Sequence, residues 1–195
     1  MSSLHLVLAS GSPRRREILA GLGVEPTVRP VDIDETPREG ESAASYVLRL
    51  ASEKARECAE DGELILAADT VVTIDGGLLG KPADEEDAKD MLHRLAGRTH
   101  QVLTGVAVYD PGRGFEDSEA VATDVIFGRL SERDIAWYVG TGEPMDKAGA
   151  YAIQGLGALF VERIMGNYSN VVGLPVPTVR ALLGRMGYQI LGDRS

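Results

Sequence analysis

The chain has 195 residues, of which 44% are hydrophobic and 26% are charged, and its formal net charge is −10. These values are typical of a globular protein with one sizeable core, and they argue against a nucleic-acid or anionic-membrane surface, because both require basic faces. The single cysteine cannot form an internal disulfide, no apolar run approaches a membrane span, and the N-terminal apolar run is too short for a signal peptide. We therefore expect a cytoplasmic protein with one domain over residues 1–195 that binds neither nucleic acid nor membranes.

The first predicted elements are a strand and a helix joined by a turn of small residues. Residues 4–9 form an apolar run of strand length, residues 10–12 are Ser-Gly-Ser, and Pro13 suits the first position of a helix capped by Ser12. The next three residues are arginines, which oppose the positive end of the helix dipole. This segment is therefore either a solvated basic turn or a receptor for an anion such as phosphate.

Strand and helix patterns alternate along the rest of the chain. Helices are predicted at residues 42–60, 84–95, 131–139 and 177–186. Extended segments are predicted at residues 26–33, 64–74, 78–79, 101–109, 119–127, 150–153, 159–161, 167–172 and 189–191. The interleaving indicates an α/β domain, and the long hairpin around residue 112 requires antiparallel pairing, so we predict a mixed β-sheet with flanking helices.

Several polar groups lie at strand ends or turns rather than on amphipathic faces. They are the segment 10–15, the acidic residues around Glu35, the pair Asp69-Thr70, and the segment 80–82, which contains Lys81. Ligands of α/β sheets bind at the ends of strands. Asp69 directly follows the apolar run 64–68, so it is either a general base or Mg²⁺ ligand, or a residue whose side chain caps a turn.

Six motifs follow one another over nearly the whole chain. They are SGSPRR at 10–15, Glu53-Lys54, AADT at 67–70, GKP at 80–82, GRTHQVLTGV at 97–106, and TGEPMDKAGAYAIQG with GNYSNVVGLP at 141–175. Together they resemble the Maf family of nucleoside triphosphate pyrophosphatases. The resemblance implies hydrolysis of a nucleoside triphosphate to the monophosphate and pyrophosphate, with a divalent cation, Mg²⁺ or Mn²⁺. It also implies a twisted mixed sheet of the inosine-triphosphatase type, with two lobes around a deep cleft, and commonly a homodimer.

Residue roles follow from the resemblance together with the chemistry of the reaction. Cleavage between the α and β phosphates needs charge neutralisation, cationic groups on the leaving pyrophosphate and an oriented water. Asp69 is the expected general base, Lys54 and Lys81 are expected to stabilise the leaving group, and Glu35 and Asp69 are the expected metal ligands. The expected substrate-binding residues are Ser10, Ser12, Arg14, Arg15, Thr70 and Gln154.

The resemblance marks Arg14, Thr70 and Gln154 as features of the branch that acts on dTTP and UTP. A primary amide such as that of Gln154 offers a donor and an acceptor side by side, which matches O4 and N3–H of uracil or thymine. The alternative is a surface glutamine among glycines. Two other functions stay open: the same reaction on a modified purine nucleotide such as 7-methyl-GTP, or a nucleotide-binding regulator of cell division with little turnover. Asp69 and the two lysines favour catalysis, because a binding module needs no base.

Overall fold

A computed structural model describes residues 5–190 of the chain. These residues form one sheet with helices, as the sequence predicts, and the sheet has seven strands. In chain order the strands are β1 (His5–Leu8), β2 (Thr27–Val28), β3 (Glu63–Ile74), β4 (Gly77–Leu79), β5 (Thr99–Asp110), β6 (Phe115–Phe127) and β7 (Val161–Met165). The spatial order is β2-β1-β3-β5-β6-β7, and β4 pairs with β3 outside this path.

The sheet is mixed. Strand β1 pairs in parallel with β2 and β3, whereas β4 is antiparallel to β3 and β7 is antiparallel to β6. Only residues 111–114 separate the neighbouring strands β5 and β6, and so short a connection permits only antiparallel pairing. The predicted mixed sheet and the predicted long hairpin are therefore confirmed.

Six α-helices lie among the described residues, four between strands and two after the last strand. They are α1 (Pro13–Gly21), α2 (Ala43–Glu57), α3 (Glu85–Leu95), α4 (Glu132–Val139), α5 (Tyr168–Val172) and α6 (Val176–Arg185). Side-chain oxygens of Ser42, Asp84 and Ser131 accept backbone N–H bonds in the first turns of α2, α3 and α4. Each helix in residues 5–190 is too short or too polar to span a bilayer.

The predictions are wrong mainly between residues 150 and 172. Residues 150–153 are not a strand, residues 156–160 form a 3-10 turn before β7, and residues 167–172 contain the helix α5 rather than an extended segment. The Oδ1 atom of Asn167 accepts the N–H of Asn170 at 3.0 Å, a capping bond that favours helix over strand. Residues 189 and 190 are not in a strand, and positions 4 and 191 lie outside the described residues.

The described residues divide into two compact units. The first comprises residues 5–69, 104–121 and 173–190, and the second comprises residues 70–103 and 122–172. Strands β3, β5 and β6 each contribute residues to both units. The core of the second unit packs α3 and α4 against strand residues, with Leu92, Phe127 and Ile135 among its buried members.

In the first unit, strand β3 is buried on both faces. Leu66 of β3 joins a cluster with Leu19 of α1 and Leu182 of α6, whereas the adjacent Ile65 joins a separate cluster with Ala51 of α2. Because successive side chains of a strand point to opposite faces, this pattern explains why residues 64–68 are continuously apolar.

Helix α2 lies unusually close to β5. A Cβ atom added to Gly105 would lie 2.2 Å from the carbonyl oxygen of Val47 and 2.4 Å from its carbonyl carbon. Both of these atoms belong to the helix backbone, which cannot yield as a flexible side chain could. Position 105 therefore requires glycine for packing. This glycine of the motif GRTHQVLTGV has a structural role that the sequence did not reveal.

We expect Gly105→Ala to lower the free energy of unfolding by about 3 kcal/mol, because overpacking forces the helix backbone away from the strand. Gly21→Ala is the matched control, since nothing lies within 4 Å of its Cβ position and the residue ends α1. Urea denaturation of both variants measures the difference. Equal stability of the two variants would contradict the close packing.

Candidate active site

The turn after β1 is organised by the buried Ser10. Its Oγ atom accepts the N–H of Ser12 at 3.2 Å and a bond from Nη1 of Arg15 at 2.9 Å. The Nε atom of Arg15 donates to the carbonyl oxygen of Gly173 at 2.9 Å. Ser12 takes the N-cap position of α1 as predicted, although among the described residues its side chain makes no capping bond. Arg15 therefore shapes the turn, and Arg14 lies half-buried beside it.

A lysine between two carboxylates forms the second part of the site. The Nζ atom of Lys54, on α2, lies 2.6 Å from Oε1 of Glu35 and 2.7 Å from Oδ1 of Asp69. The side chains of Lys54 and Asp69 are each only 12% exposed, so this ammonium is not a solvated helix-face group. Asp69 lies in the middle of β3, so the prediction that it lies at a strand end is wrong, and it does not cap a turn.

Electrostatic effects connect the turn to the lysine cluster. Burial lowers the pKa of the Arg15 guanidinium and the Arg14 charge lowers it further, whereas Asp69 and Glu35 act in the opposite direction. Such effects require charges close to one another. Seven predicted residues of the first unit thus form two contact groups that act on each other electrostatically: Ser10, Ser12, Arg14 and Arg15 in the turn, and Glu35, Lys54 and Asp69 in the lysine cluster.

Two residues that the sequence analysis missed hold the loop that carries Glu35. The hydroxyl of Tyr46 donates to the Glu35 carbonyl oxygen at 2.9 Å, and Nη2 of Arg49 donates to the Thr36 carbonyl oxygen at 3.2 Å. Burial and the charges of Asp69 and Glu35 raise the pKa of Tyr46 to about 12, so it remains a donor. The helical spacing of positions 46, 49 and 53 puts them in one polar stripe on α2, and this stripe could have indicated a supporting role.

A largely buried ion pair between Arg49 and Glu41 lies at the end of the same loop. The Nε and Nη2 atoms of Arg49 donate to the two carboxylate oxygens of Glu41 at 2.7 and 2.8 Å. The two side chains are only 11% and 8% exposed. A bidentate pair of this kind has fixed geometry. The backbone of the Glu35 loop is thereby tied to α2 at several points.

The other three predicted residues belong to the second unit. Thr70 is half-buried and follows Asp69 on β3, whereas Lys81 and Gln154 are exposed. The backbone before Lys81 is fixed, because the N–H of Gly149 donates to the Gly80 carbonyl oxygen at 2.9 Å. Gln154 lies in a turn directly before the 3-10 segment Leu156–Phe160.

The donor set fits a cation that is shared with a phosphate substrate. No group of three or more His, Cys, Asp or Glu residues among positions 5–190 could by itself hold a metal ion. However, the carboxylates of Glu35 and Asp69 meet at one Nζ atom, and each contacts it through one of its two oxygens. Mg²⁺ is usually held by one or two carboxylates together with phosphate oxygens and water. The residues present therefore fit such an ion.

Comparisons with known proteins agree with the fold and the motifs. The family profile described as Maf-like protein matches residues 5–186. A protein of Anaeromyxobacter dehalogenans named dTTP/UTP pyrophosphatase is 54% identical over 192 residues, which are 97% of this chain and 98% of that protein. A Myxococcus xanthus protein of the same name is 55% identical over 184 residues, which are 93% of this chain and 92% of its own length.

A solved structure shows the same fold. The Ham1 protein of Staphylococcus aureus matches with a TM-score of 0.53 over 93% of this chain and 99% of its own, at 13% sequence identity. At that level of identity the similarity concerns the arrangement of strands and helices only.

The pair of Glu41 and Arg49 predicts a specific pH dependence. The hydrogen bonds from Arg49 hold the pKa of Glu41 at about 2, below its ordinary value of 4.5. A carboxyl whose pKa is lowered in the folded state stabilises the fold above its unfolded pKa, and this stabilisation is lost as the pH falls toward the folded pKa. Glu41→Gln should therefore be less stable than the wild type at neutral pH, with the difference shrinking between about pH 4.5 and pH 2.

Denaturant unfolding of both proteins as a function of pH measures this difference. Arg49→Met supplies the control, because Glu41→Gln should cause little further loss in that background. A stability difference that stays constant down to the acid limit would contradict the ion pair.

Proposed function

Because the chain belongs to the Maf-like protein family, we propose that it is a nucleoside triphosphate pyrophosphatase that hydrolyses dTTP and UTP to the monophosphate and pyrophosphate. The main support for this proposal is the contact of Lys54 with Asp69 and Glu35, which places a cation beside two carboxylates that could act as a base and as metal ligands. Relatives that match nearly the full length of the chain are named dTTP/UTP pyrophosphatase.

Asp69 acts as the general base. It takes a proton from the water that attacks the α-phosphorus; the new O–P bond forms as the bond to the bridging oxygen breaks, and pyrophosphate leaves. Lys54, at 2.7 Å, orients the Asp69 carboxylate and supplies positive charge close to the reaction. A positioned general base of this kind contributes about 10²- to 10⁴-fold to the rate.

The turn after β1 binds phosphate oxygens. Arg14 and the backbone N–H groups at the start of α1 supply donors, and the hydroxyl of Ser12 supplies another. Arg15 and Ser10 hold each other and set the shape of the turn. Lys81 has the role of a second cation for the charge on the leaving pyrophosphate.

The reaction uses a divalent cation, Mg²⁺ or Mn²⁺. Glu35 and Asp69 would hold this ion together with the substrate. When bound, the ion neutralises phosphate charge and so favours attack on the phosphorus. Tyr46 and Arg49 contribute by keeping the Glu35 loop in place.

Gln154 selects the base of the substrate, together with Thr70 and Arg14. The Gln154 amide can donate to O4 and accept from N3–H of uracil or thymine, whereas cytosine presents the opposite pattern. The protein acts in the cytoplasm as a homodimer and does not bind nucleic acid or membranes. The net charge of −10 disfavours binding to nucleic acid and to anionic membranes, and sedimentation equilibrium tests the homodimer.

The decisive experiment supplies the protein with a panel of nucleoside triphosphates and Mg²⁺ or Mn²⁺. We expect monophosphate and pyrophosphate from dTTP and UTP, and Asp69→Asn should lower kcat/KM by about 10²-fold or more. Asp61→Asn, at an exposed turn residue, is the matched control and should retain activity. Turnover of 7-methyl-GTP alone would favour the purine alternative, and binding without turnover would favour a regulator.

Gln154→Glu tests base selection. The substituted carboxylate has no N–H to donate to O4, so kcat/KM for dTTP and UTP should fall about tenfold or more, with a smaller change for CTP. Gln189→Glu makes the same chemical change at another exposed glutamine and should leave the ratio unchanged. An unaltered preference for dTTP over CTP in Gln154→Glu would exclude this role.

A further inference from the structure

Glu143 makes three hydrogen bonds that have no part in the reaction described above. It lies in the turn after α4, and its Oε1 atom accepts from the hydroxyl of Tyr138 at 2.8 Å and from the N–H of Gly157 at 3.1 Å. Its Oε2 atom accepts from the N–H of Leu156 at 3.0 Å. One carboxylate therefore binds two successive backbone groups 13 and 14 residues further along the chain.

Tyr138 extends this connection to the other end of the same segment. Its hydroxyl accepts the N–H of Ala152 at 3.1 Å while it donates to Glu143. Its ring is completely buried and packs edge-on against Phe160, with centroids 5.0 Å apart. The segment 152–157 is thus held at both ends by one buried hydroxyl and one carboxylate, and Gln154 lies between the two attachment points.

The glycines on either side of Leu156 show how closely the segment lies against these two residues. A Cβ atom at Gly155 would lie 2.3 Å from Oε2 of Glu143, and one at Gly157 would lie 2.7 Å from the Tyr138 hydroxyl. No larger side chain fits at either position without moving the carboxylate or the phenol. The Gly-Leu-Gly sequence is therefore a consequence of contact with Glu143 and Tyr138.

The two side chains keep the protonation states that these bonds require. Burial raises the pKa of the Tyr138 hydroxyl, which remains a donor. Burial would also raise the pKa of Glu143, but the bonds from Leu156, Gly157 and Tyr138 outweigh it and lower that pKa. At neutral pH the carboxylate is ionised, and hydrogen bonds to a charged acceptor are stronger than those between neutral groups.

From this geometry we infer that Glu143 and Tyr138 are positioning residues for base selection, which fix the backbone on both sides of Gln154 and so fix where its amide is presented. The inference rests on the proposed function. On a mobile turn the Gln154 amide could reach many positions, whereas a backbone that is held on both sides limits the positions from which the amide can meet the base. Glu143 and Tyr138 therefore act through Gln154 and are not themselves in contact with the reacting atoms.

The test compares Glu143→Gln and Tyr138→Phe with the wild type on dTTP, UTP and CTP. An amide at position 143 places an N–H group against a backbone N–H, and phenylalanine at position 138 removes the hydroxyl but keeps the ring. We expect the dTTP-to-CTP ratio of kcat/KM to fall about tenfold, mainly through a higher KM for dTTP. Glu132→Gln, at a side chain 87% exposed on the same α4, is the matched control and should keep the wild-type ratio.

A double-mutant cycle with Gln154→Ala separates positioning from general damage to the fold. If Glu143 acts through Gln154, Glu143→Gln should change the base ratio less than about twofold in the Gln154→Ala background. Amide hydrogen exchange over residues 152–157 should become faster in both positioning variants, and this readout does not depend on activity. Equal loss of kcat/KM on all three nucleotides, or a full second loss in the double mutant, would overturn the inference.

The outcomes also separate this inference from the proposed function. A wild-type protein with no turnover or no base preference would refute the proposed function, and the inference with it, whatever the exchange data show. A wild type that prefers dTTP and UTP, with variants that keep the same ratio, would refute the inference alone.

Discussion

The candidate site depends on the ion pairs that the ammonium of Lys54 forms with two carboxylates. This ammonium joins a loop, a helix and a strand, since its two partners are Glu35 before α2 and Asp69 on β3. Lys54 and Asp69 form the buried part of this cluster, and removing one partner of a buried ion pair is strongly destabilising because the remaining charge is left without compensation. Helix packing sets the position of this ammonium. Val47 lies two turns before Lys54 on α2, and the absence of a side chain at Gly105 lets the helix backbone approach β5 there. The glycine and the lysine therefore belong to one arrangement.

Much of the fold can be predicted from local patterns, because its strands and helices carry their own signals. The continuous apolar run at 64–68 corresponds to a strand buried on both faces, and Ser42, Asp84 and Ser131 cap helices at the predicted places. Residues 150–172 could not be predicted in the same way. Their conformation depends on bonds from distant side chains, such as that of Glu143 to Leu156, and no periodicity records a contact between residues 13 positions apart.

The sequence predicted residues for the candidate site but not the contacts that these residues make. The three arginines opposed to a helix dipole indicated an anion, but the sequence could not show that Arg15 donates to Ser10 and to a backbone carbonyl. Helical periodicity placed Lys54 on a helix whose lysines are usually solvated, and only the fold reveals its contact with Asp69. Tyr46 and Arg49 were missed because a polar stripe on a helix does not show which groups its side chains bind. Their roles follow from which backbone carbonyls they reach.

In each of the two units, a carboxylate holds a surface segment in place through hydrogen bonds. Loops that carry functional side chains lie at the surface and have little apolar area to hold them in place. In the first unit the loop of Glu35 is tied to α2 through Glu41 and Arg49, and in the second the segment around Gln154 is tied to Glu143 and Tyr138. Each support has an ionised carboxylate at its centre, and in each case hydrogen bonds lower the pKa of that carboxylate. An ionised carboxylate accepts several directed bonds within a small volume, which a small apolar contact cannot do. This explains why acidic residues with no role in the proposed reaction hold the segments that carry candidate site residues.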